Sequence, residues 1–245
     1  MTTDRERFLH EIGLGPLWKL RAPGVAADVS PPVPPAATVD AQPAAEPAAA
    51  SAKDAVPVGM NWDELALAVA DCRRCGLCAK RRQAVLGVGD VDADWLFVGE
   101  GPGAEEDQRG EPFVGQAGKL LDSMLAAIGL VRGHDVYIAN AVKCRPPENR
   151  TPTPEETATC HPWLERQIEL IRPRLIVALG RPAAQTLLQA EVRIASARGT
   201  LHRYQGIPLI VTYHPAYLLR SLHDKSKAWE DLCFMRRTMR QLKET

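Results

Sequence analysis

The sequence predicts an α/β protein in which a central, mostly parallel sheet of four strands has helices on both sides. Four short, nearly continuous apolar runs are typical of strands that are covered on both faces. Amphipathic segments alternate with these runs, as expected where helices connect parallel strands. Because such folds bind ligands at the carboxyl ends of their strands, we expect functional residues in the loops that follow the strands.

Each element is defined by its own pattern. The apolar runs predict strands at residues 95–98, 136–139, 175–179 and 209–211. The amphipathic segments predict helices at about residues 115–129, 154–171, 181–190 and 224–243. All of them lie within residues 60–245, which are enough for one domain with a well-formed core.

Residues 1–59 differ in composition from the rest of the chain. Residues 22–57 contain 13 Ala and 8 Pro but no Leu, Ile, Phe, Tyr or Trp, so residues 22–59 are predicted to be a disordered linker. Residues 1–21 form a tail whose short amphipathic segment is too small to fold alone. It is either a leftover tail or a docking peptide for a protein partner or for the main domain.

Overall composition excludes several functional classes. Thirty basic residues balance 30 acidic residues among 245, which excludes nucleic-acid binding by bulk charge and leaves only a local basic patch. No apolar run approaches the roughly 18 residues that a membrane helix needs. The N-terminus, MTTDRERFLH, lacks the apolar core of a secretory signal, so we expect a cytoplasmic protein.

Four of the six cysteines have the spacing of metal ligands. Cys72 and Cys75 form a C-x2-C pair, and 15 residues separate Cys144 from Cys160. Four thiolates from these segments suit zinc or an iron–sulfur cluster, and spacing alone does not distinguish the two. A role as a buried small hydrophobic residue is an alternative for Cys233 in the last predicted helix and for Cys78.

The loop after the first predicted strand reads GEGPGAEED. Its glycines formally fit a dinucleotide fingerprint, but three consecutive acids would repel a pyrophosphate. We interpret the loop instead as one in which glycine lets the backbone approach a small neutral ligand, while a carboxylate binds water or a ring N–H. Phe113 lies nearby and is either a stacking face or a core residue.

Two further strand ends carry polar side chains. Asn140 ends the second predicted strand, and its amide offers a donor and an acceptor, as reading a nucleobase edge requires. Lys143, Arg145 and Arg150 form a small basic patch in the following loop, where we expect Lys143 to contact phosphate. His214 follows the fourth predicted strand and is expected to face the same pocket.

Taken together, these segments resemble the family 4 uracil-DNA glycosylases, the iron–sulfur-bearing branch of the uracil-DNA glycosylase superfamily. The resemblance rests on CRRCGLC, VGEGPGAEEDQRGEPFVGQAGKLLD, YIANAVKCRPPENRTPTPEE, the spacing of Cys144 and Cys160, and TYHPAYLLR. It runs from about residue 72 to residue 232, and residues 1–60 lie outside it. Several long motifs in one order make the resemblance highly specific.

The resemblance implies a three-layer α/β/α fold, a [4Fe–4S] cluster and a set of site residues. The implied cluster ligands are Cys72, Cys75, Cys144 and Cys160, and Cys78 has no matching role. The implied uracil-binding residues are Glu100, Gly101, Pro102, Phe113, Asn140 and His214, with Phe113 stacking, Asn140 on the base edge and His214 near O2. Family 1 enzymes carry a water-orienting Asp where this chain has Gly101, so the candidates for that role are Glu100, Glu106 and Asn149, in this order.

The implied activity is hydrolysis of the N-glycosidic bond of uracil in DNA, which leaves an abasic site for base excision repair. The implied reaction needs a base that has flipped out of the stack, stabilisation of the developing oxyanion by His214 and a carboxylate that steers water. It needs no catalytic Mg²⁺. We expect a monomer that binds uracil-containing DNA. Two other classes stay open, a non-catalytic nucleic-acid-binding module with a four-cysteine metal site and an iron–sulfur electron carrier.

Overall fold

The structure, a computed structural model, describes residues 59–244. Residues 1–58 and Thr245 lie outside the described residues, and with them the predicted tail and almost all of the predicted linker. Within residues 59–244, no helix is both long and apolar enough to cross a membrane.

The described elements alternate along the chain much as the sequence predicts. The strands are β1 (Val88–Gly89), β2 (Trp95–Gly99), β3 (Val136–Asn140), β4 (Leu175–Leu179), β5 (Leu201–Tyr204) and β6 (Ile207–Thr212). The helices are α1 (Trp62–Ala70), α2 (Ala104–Arg109), α3 (Gln116–Ala127), α4 (Pro154–Ile171), α5 (Arg181–Leu188), α6 (Ile194–Ala197), α7 (Pro215–Arg220) and α8 (Lys225–Glu244). Short 3₁₀ segments lie at Gly76–Ala79, Pro147–Asn149 and Leu222–Asp224. The predicted helices correspond to α3, α4, α5 and α8, and their ends agree within two residues.

The sheet has the order β1-β3-β2-β4-β6-β5. Its centre, β3-β2-β4-β6, is parallel, and these are the four strands that the apolar runs predict. The prediction of only four strands is wrong, because β1 and β5 add antiparallel edges to β3 and β6. Edge strands are covered on one side at most, so neither has the continuous apolar run that marks a central strand.

Alternate residues of the central strands build a separate core on each face of the sheet. In β2, Trp95 and Phe97 face the core that includes α3 and α8, whereas Leu96 and Val98 face the core that includes α4 and α5. The same alternation continues through β3, β4 and β6. The period of two in the side chains therefore produces three layers, helices–sheet–helices, and confirms the predicted α/β class.

A third, smaller core lies where α1 packs near the start of α4. Leu65 and Val69 of α1 are fully buried there against Trp163, together with Cys144 and Cys160. This core joins the segment that precedes the sheet to the loop after β3.

Candidate active site

A cleft of about 810 Å³ opens at the carboxyl ends of the parallel strands. It brings together every sequence-predicted residue for base binding and water positioning: Glu100, Gly101, Pro102, Glu106, Phe113, Asn140, Asn149 and His214. These residues come from the loops after β2, β3 and β6, so the position of the cleft follows from the topology of the sheet.

Asn140 is the last residue of β3, and its amide lies in the floor of the cleft. The residue is 2% exposed, and its Oδ1 has no hydrogen-bond partner among the described residues. Gly99, its register partner in β2, leaves room for this amide, since a Cβ there would lie 2.5 Å from Asn140 Oδ1 and 2.6 Å from Phe113 Cζ. Buried polar atoms are nearly always hydrogen-bonded, so a lone Oδ1 that borders a cleft indicates a missing donor from a ligand.

Phe113 forms one wall of the cleft and is held in an unusual backbone conformation. Its φ is +55°, a value that is rare for a bulky side chain. The Arg132 guanidinium fixes this turn by donating to the carbonyls of Pro112 (3.0 Å) and Phe113 (2.8 Å). The Phe113 ring lies 5.4 Å from the His214 ring, with an angle of 30° between their planes. Such a constrained aromatic face suits stacking on a planar ligand.

His214 is the N-cap residue of α7. Its Nδ1 accepts a hydrogen bond from the Ala216 N–H at 3.1 Å, so the proton of the neutral imidazole lies on Nε2. Burial and, to a smaller extent, the Arg220 charge lower the pKa of His214 to about 4, against the opposing effect of the Glu106 charge. His214 is therefore a neutral donor at neutral pH, in a position fixed by the helix that it caps.

Glu100 follows β2 and lies at the edge of the cleft with its carboxylate only partly buried. Its carbonyl accepts from Val142 N at 3.2 Å, which joins this loop to the loop after β3. Burial raises the pKa of Glu100 above its ordinary value, while a hydrogen bond with the Thr151 side chain and the charge of Arg181 oppose the rise. The carboxylate keeps acceptor capacity for a water molecule.

The Glu106 carboxylate is occupied by the main chain. Its Oε2 accepts from Gly103 N at 3.1 Å, and its Oε1 accepts from Val114 N at 3.0 Å and Gly115 N at 3.1 Å. It thereby caps α2, the helix that begins at Ala104, and clamps the turn that carries Phe113. The carboxylate therefore binds the N–H of Gly103, the N-cap residue of α2.

Asn149 is the third candidate for the water-positioning group. It lies in an exposed 3₁₀ segment with φ of +55°, and its Oδ1 accepts from Arg145 Nε at 2.7 Å. The structure thus places Glu100, Glu106 and Asn149 on one cleft but gives them very different hydrogen-bond partners.

Gly101 has a steric reason to lack a side chain. A Cβ at this position would lie 2.8 Å from Val142 Cγ2 and would face the ring of Pro146. The acidic group that family 1 enzymes carry here has no room in this chain.

The prediction that Lys143, in the basic patch after β3, contacts phosphate is wrong. Lys143 is 1% exposed, and its Nζ donates to the Asn140 carbonyl at 2.9 Å and to the Gln167 side chain, so it does not reach a phosphate. Arg150 remains exposed but pairs with Glu156 through two bonds of 2.7 Å. The burial of this lysine was not recognisable in the sequence, because the same loop contains two other cations, half-buried Arg145 and exposed Arg150.

Several cleft residues were missed by the sequence reasoning. Arg181 and Arg220 add cations to the rim, and Tyr213 and Tyr217 add a stacked pair with ring centroids 5.3 Å apart. Arg181 follows β4, which is a parallel strand like the others, so the strand-end rule would have found it. The aromatic pair flanks His214 and lay within the TYHPAYLLR segment already singled out.

The four predicted metal-ligating cysteines line one small pocket on the third core. Cys72, Cys75, Cys144 and Cys160 share it with Cys78. Across residues 59–244, no three His, Cys, Asp or Glu side chains are arranged closely enough to form a ready metal site. Burial raises the pKa of the Cys160 thiol to about 12, which nearby Lys143 opposes.

This cysteine pocket is surrounded by hydrogen-bond donors. Arg81 donates to Cys144 Sγ at 2.8 Å, and Lys143 N donates to Cys160 Sγ at 3.3 Å. The Nε and Nη1 of Arg74 and the Nε1 of Trp163 also border the pocket, and all three atoms are buried without a partner in the described part of the chain. A pocket with so many unused N–H groups suits an anionic, sulfur-rich occupant.

Comparisons with known proteins agree with this geometry. The sequence profile of the uracil DNA glycosylase superfamily matches residues 86–233. A type-4 uracil-DNA glycosylase from Archaeoglobus fulgidus is 48% identical over 65% of this chain and 83% of the relative. Type-4 uracil-DNA glycosylases from Thermotoga maritima and Pyrobaculum aerophilum are 50% and 42% identical, over 62% and 71% of this chain and 80% and 92% of the relatives.

The matched segment contains β2 to β6 and every residue that lines the cleft. Of the cluster candidates, Cys144 and Cys160 lie within it, whereas Cys72 and Cys75 precede it. The profile covers more than half of the chain, and the relatives are covered over most of their length. The chain belongs to the uracil-DNA glycosylase superfamily.

Proposed function

We propose that this chain is a DNA repair glycosylase that hydrolyses the N-glycosidic bond of uracil in DNA. The observation that carries the proposal is the buried, unpartnered Oδ1 of Asn140 in a cleft walled by Phe113 and His214. Uracil N3–H supplies the missing donor, and the Asn140 amide N–H reaches the neighbouring O4. The type-4 relatives, which carry uracil-DNA glycosylase in their names, support the same substrate.

The cleft suits a base that has left the DNA stack. An enzyme that breaks a base–sugar bond must reach atoms that stacking covers, so the nucleotide rotates out of the duplex. Phe113 then stacks on the uracil ring, and the backbone of Gly101 and Pro102 approaches its edge. Arg181 and Arg220 on the rim provide positive charge for the flanking phosphates.

The reaction is a hydrolysis in which charge separates. As the bond to the sugar breaks, negative charge develops on the uracil ring and positive charge on the sugar. The neutral His214 donates Nε2–H toward uracil O2 and stabilises the anion. Glu100 orients the attacking water and stabilises the cationic sugar. Water adds to the sugar carbon, its proton leaves to Glu100 or to bulk water, and uracil departs with the bonding electron pair.

We infer a [4Fe–4S] cluster on Cys72, Cys75, Cys144 and Cys160. The unpartnered N–H groups of Arg74 and Trp163 fit this group, because sulfide and thiolate sulfurs accept such hydrogen bonds. When bound, the cluster supplies a cross-link that joins the segment after α1 to the loop after β3 and to α4. No reacting atom needs to meet it, so its role is structural.

The cluster is tested by colour and metal content. The purified chain should be brown, with about four irons per chain, and Cys144→Ser should bleach it. Cys78→Ser is the matched control and should keep the colour. Stoichiometric zinc in a colourless, active protein would contradict the assignment.

The activity is tested with oligonucleotides that contain uracil, cytosine or thymine at one position. Under single turnover, only uracil should be excised, and His214→Ala should slow excision on the order of 10²–10³-fold. Tight binding of the uracil strand without excision would instead favour the non-catalytic binding module. A monomeric state, a cytoplasmic location and a protein partner for residues 1–21 remain predictions from the sequence.

A further inference from the structure

Lys143 is the most unusual charged residue of the described chain. It is fully buried in the protein interior, yet no carboxylate forms an ion pair with it among residues 59–244. A buried ammonium is costly unless it is paired and hydrogen-bonded, so its position needs a specific reason. The groups of potential negative charge that face it are the thiols of Cys144 and Cys160.

The hydrogen bonds of Lys143 lead to the base-reading strand. Its Nζ donates to the main-chain carbonyl of Asn140 at 2.9 Å and to the side chain of Gln167 on α4. Gln167 is itself held by bonds from its amide to the Tyr137 hydroxyl (3.2 Å) and the Leu86 carbonyl (3.1 Å). The ammonium therefore connects the end of β3 to a buried, hydrogen-bonded side chain of α4.

The main chain of Lys143 leads to the cysteine pocket. Its N–H donates to Cys160 Sγ at 3.3 Å, and its carbonyl accepts from Val85 N at 2.8 Å. One residue thus contacts Asn140 through its side chain and Cys160 through its backbone.

We propose that Lys143 is a positioning residue for base reading, which fixes the main chain of Asn140 so that the amide points into the cleft. The proposal rests on the proposed function, since it assigns Asn140 to the uracil edge. It differs from a general stabilising role in one respect that is measurable. If Lys143 acts through Asn140, its substitution should have little effect on the excision rate once the Asn140 amide is removed. If Lys143 is a general stabiliser, its substitution should have the same effect with or without that amide.

A double-mutant cycle on the full chain distinguishes these two roles. Single-turnover uracil excision is measured for the parent, Lys143→Met, Asn140→Ala and the double variant, on preparations matched for iron content. Lys143→Met should slow the parent about tenfold or more but slow the Asn140→Ala variant by less than about threefold. Lys243→Met is the control for loss of a lysine. Lys243 pairs with Asp94 and Asp135, which lie at the amino ends of β2 and β3, away from the cleft.

An equal reduction of the excision rate in the parent and Asn140→Ala backgrounds would overturn the proposal. A Lys143→Met variant that excises uracil as fast as the parent would also overturn it. If Lys143→Met does not fold, Gln167→Met replaces it in the cycle, since it removes the other acceptor of the ammonium. The same dependence on Asn140 is expected there, and equal losses again overturn the proposal. A parent chain that releases no uracil would refute the proposed function, which is a separate result.

Discussion

Glu100, Glu106 and Asn149 are the three side chains that compete for the water-positioning role. The two oxygens of Glu106 accept three main-chain N–H bonds, and Asn149 Oδ1 accepts from Arg145. Within residues 59–244, the Glu100 carboxylate has one side-chain hydrogen bond, with Thr151, and it borders the cleft. These contacts leave Glu100 with more free acceptor capacity than Glu106, so Glu100 stays the first candidate for the water-positioning role, whereas Glu106 clamps the Phe113 turn.

The pH dependence of excision tests Glu100. The proposed water-positioning role requires the carboxylate form of Glu100, and burial raises the pKa of this group, so the rate should fall as pH drops through a value above the ordinary 4.5. Glu100→Gln should lower the rate at neutral pH roughly 10²-fold or more and should lack this acid limb. Single-turnover rates between pH 4.5 and pH 8 provide the measurement. A Gln variant that keeps both the rate and the acid limb would assign the role elsewhere.

Gly99→Ala tests the close packing of Asn140 and Phe113 against Gly99. The added methyl would lie 2.5 Å from Asn140 Oδ1 and 2.6 Å from Phe113 Cζ, so one of these groups must move. We expect excision to slow on the order of 10²-fold, because displacements of about 1 Å disturb a reactive geometry to this extent. Gly76→Ala is the matched control, since nothing lies within 4 Å of a Cβ there. Equal effects of the two variants on the excision rate would refute the close packing.

At the scale of elements, the C-terminal helix α8 stabilises the strand that leads to His214. Asp231 of α8 is 1% exposed in its side chain and accepts from the Thr212 hydroxyl at 2.7 Å. It also forms a 3.0 Å ion pair with Arg198, whose guanidinium lies 5.9 Å from the centre of the Tyr213 ring. This buried network joins α8, the end of β6 and the segment after α6.

Asp231→Ala should destabilise the domain by about 1–3 kcal/mol, because it leaves the buried Thr212 hydroxyl without its acceptor and removes the buried half of an ion pair with Arg198. Glu230→Ala is the control, since Glu230 binds the same Arg198 but is 69% exposed. Its loss should lower the free energy of unfolding by less than about 1 kcal/mol. Urea unfolding gives both values. Similar losses for the two variants would show that burial does not determine the contribution of this network.

The elements differ in how far the sequence predicts them. The central strands are recognisable because burial on both faces requires continuous apolar runs. β5 reads LHRY and is half exposed, so its pattern does not mark a strand. Its signal is the two-residue turn Gln205–Gly206, in which both residues have positive φ, as hairpin turns require. The capping box of Asn61 and Glu64 similarly marks α1, which the amphipathic pattern did not predict.

The site was predictable to the extent that it follows from topology. Asn140 ends β3 and His214 lies two residues after β6, and the strand-end rule alone places them at the carboxyl end of the sheet. The burial of Lys143 and the main-chain bonds of Glu106 depend on contacts between loops that are distant in sequence. A sequence pattern does not show such contacts, so Lys143 was predicted to contact phosphate.

At the scale of the whole molecule, the domain boundary is testable by truncation. The Met60 carbonyl accepts from Arg166 Nε at 2.8 Å, so residue 60 already contacts the domain. Deleting residues 1–59 should change excision by less than about tenfold, or 1.4 kcal/mol of barrier. Deleting residues 1–71 is the control and should destabilise the fold, because it also removes the buried Leu65 and Val69. If deleting residues 1–59 lowers the excision rate more than about tenfold, the tail is part of the catalytic domain.

The central claim is that this chain releases uracil from DNA by hydrolysis with its own side chains. The most direct measurement incubates the full chain with a uracil-containing oligonucleotide in EDTA and follows both products by mass spectrometry. We predict free uracil in equal amount to an intact strand that carries an abasic site, cleaved only after alkali or heat. A uracil strand that stays bound and unchanged, or one that is cut without alkali, would contradict the account.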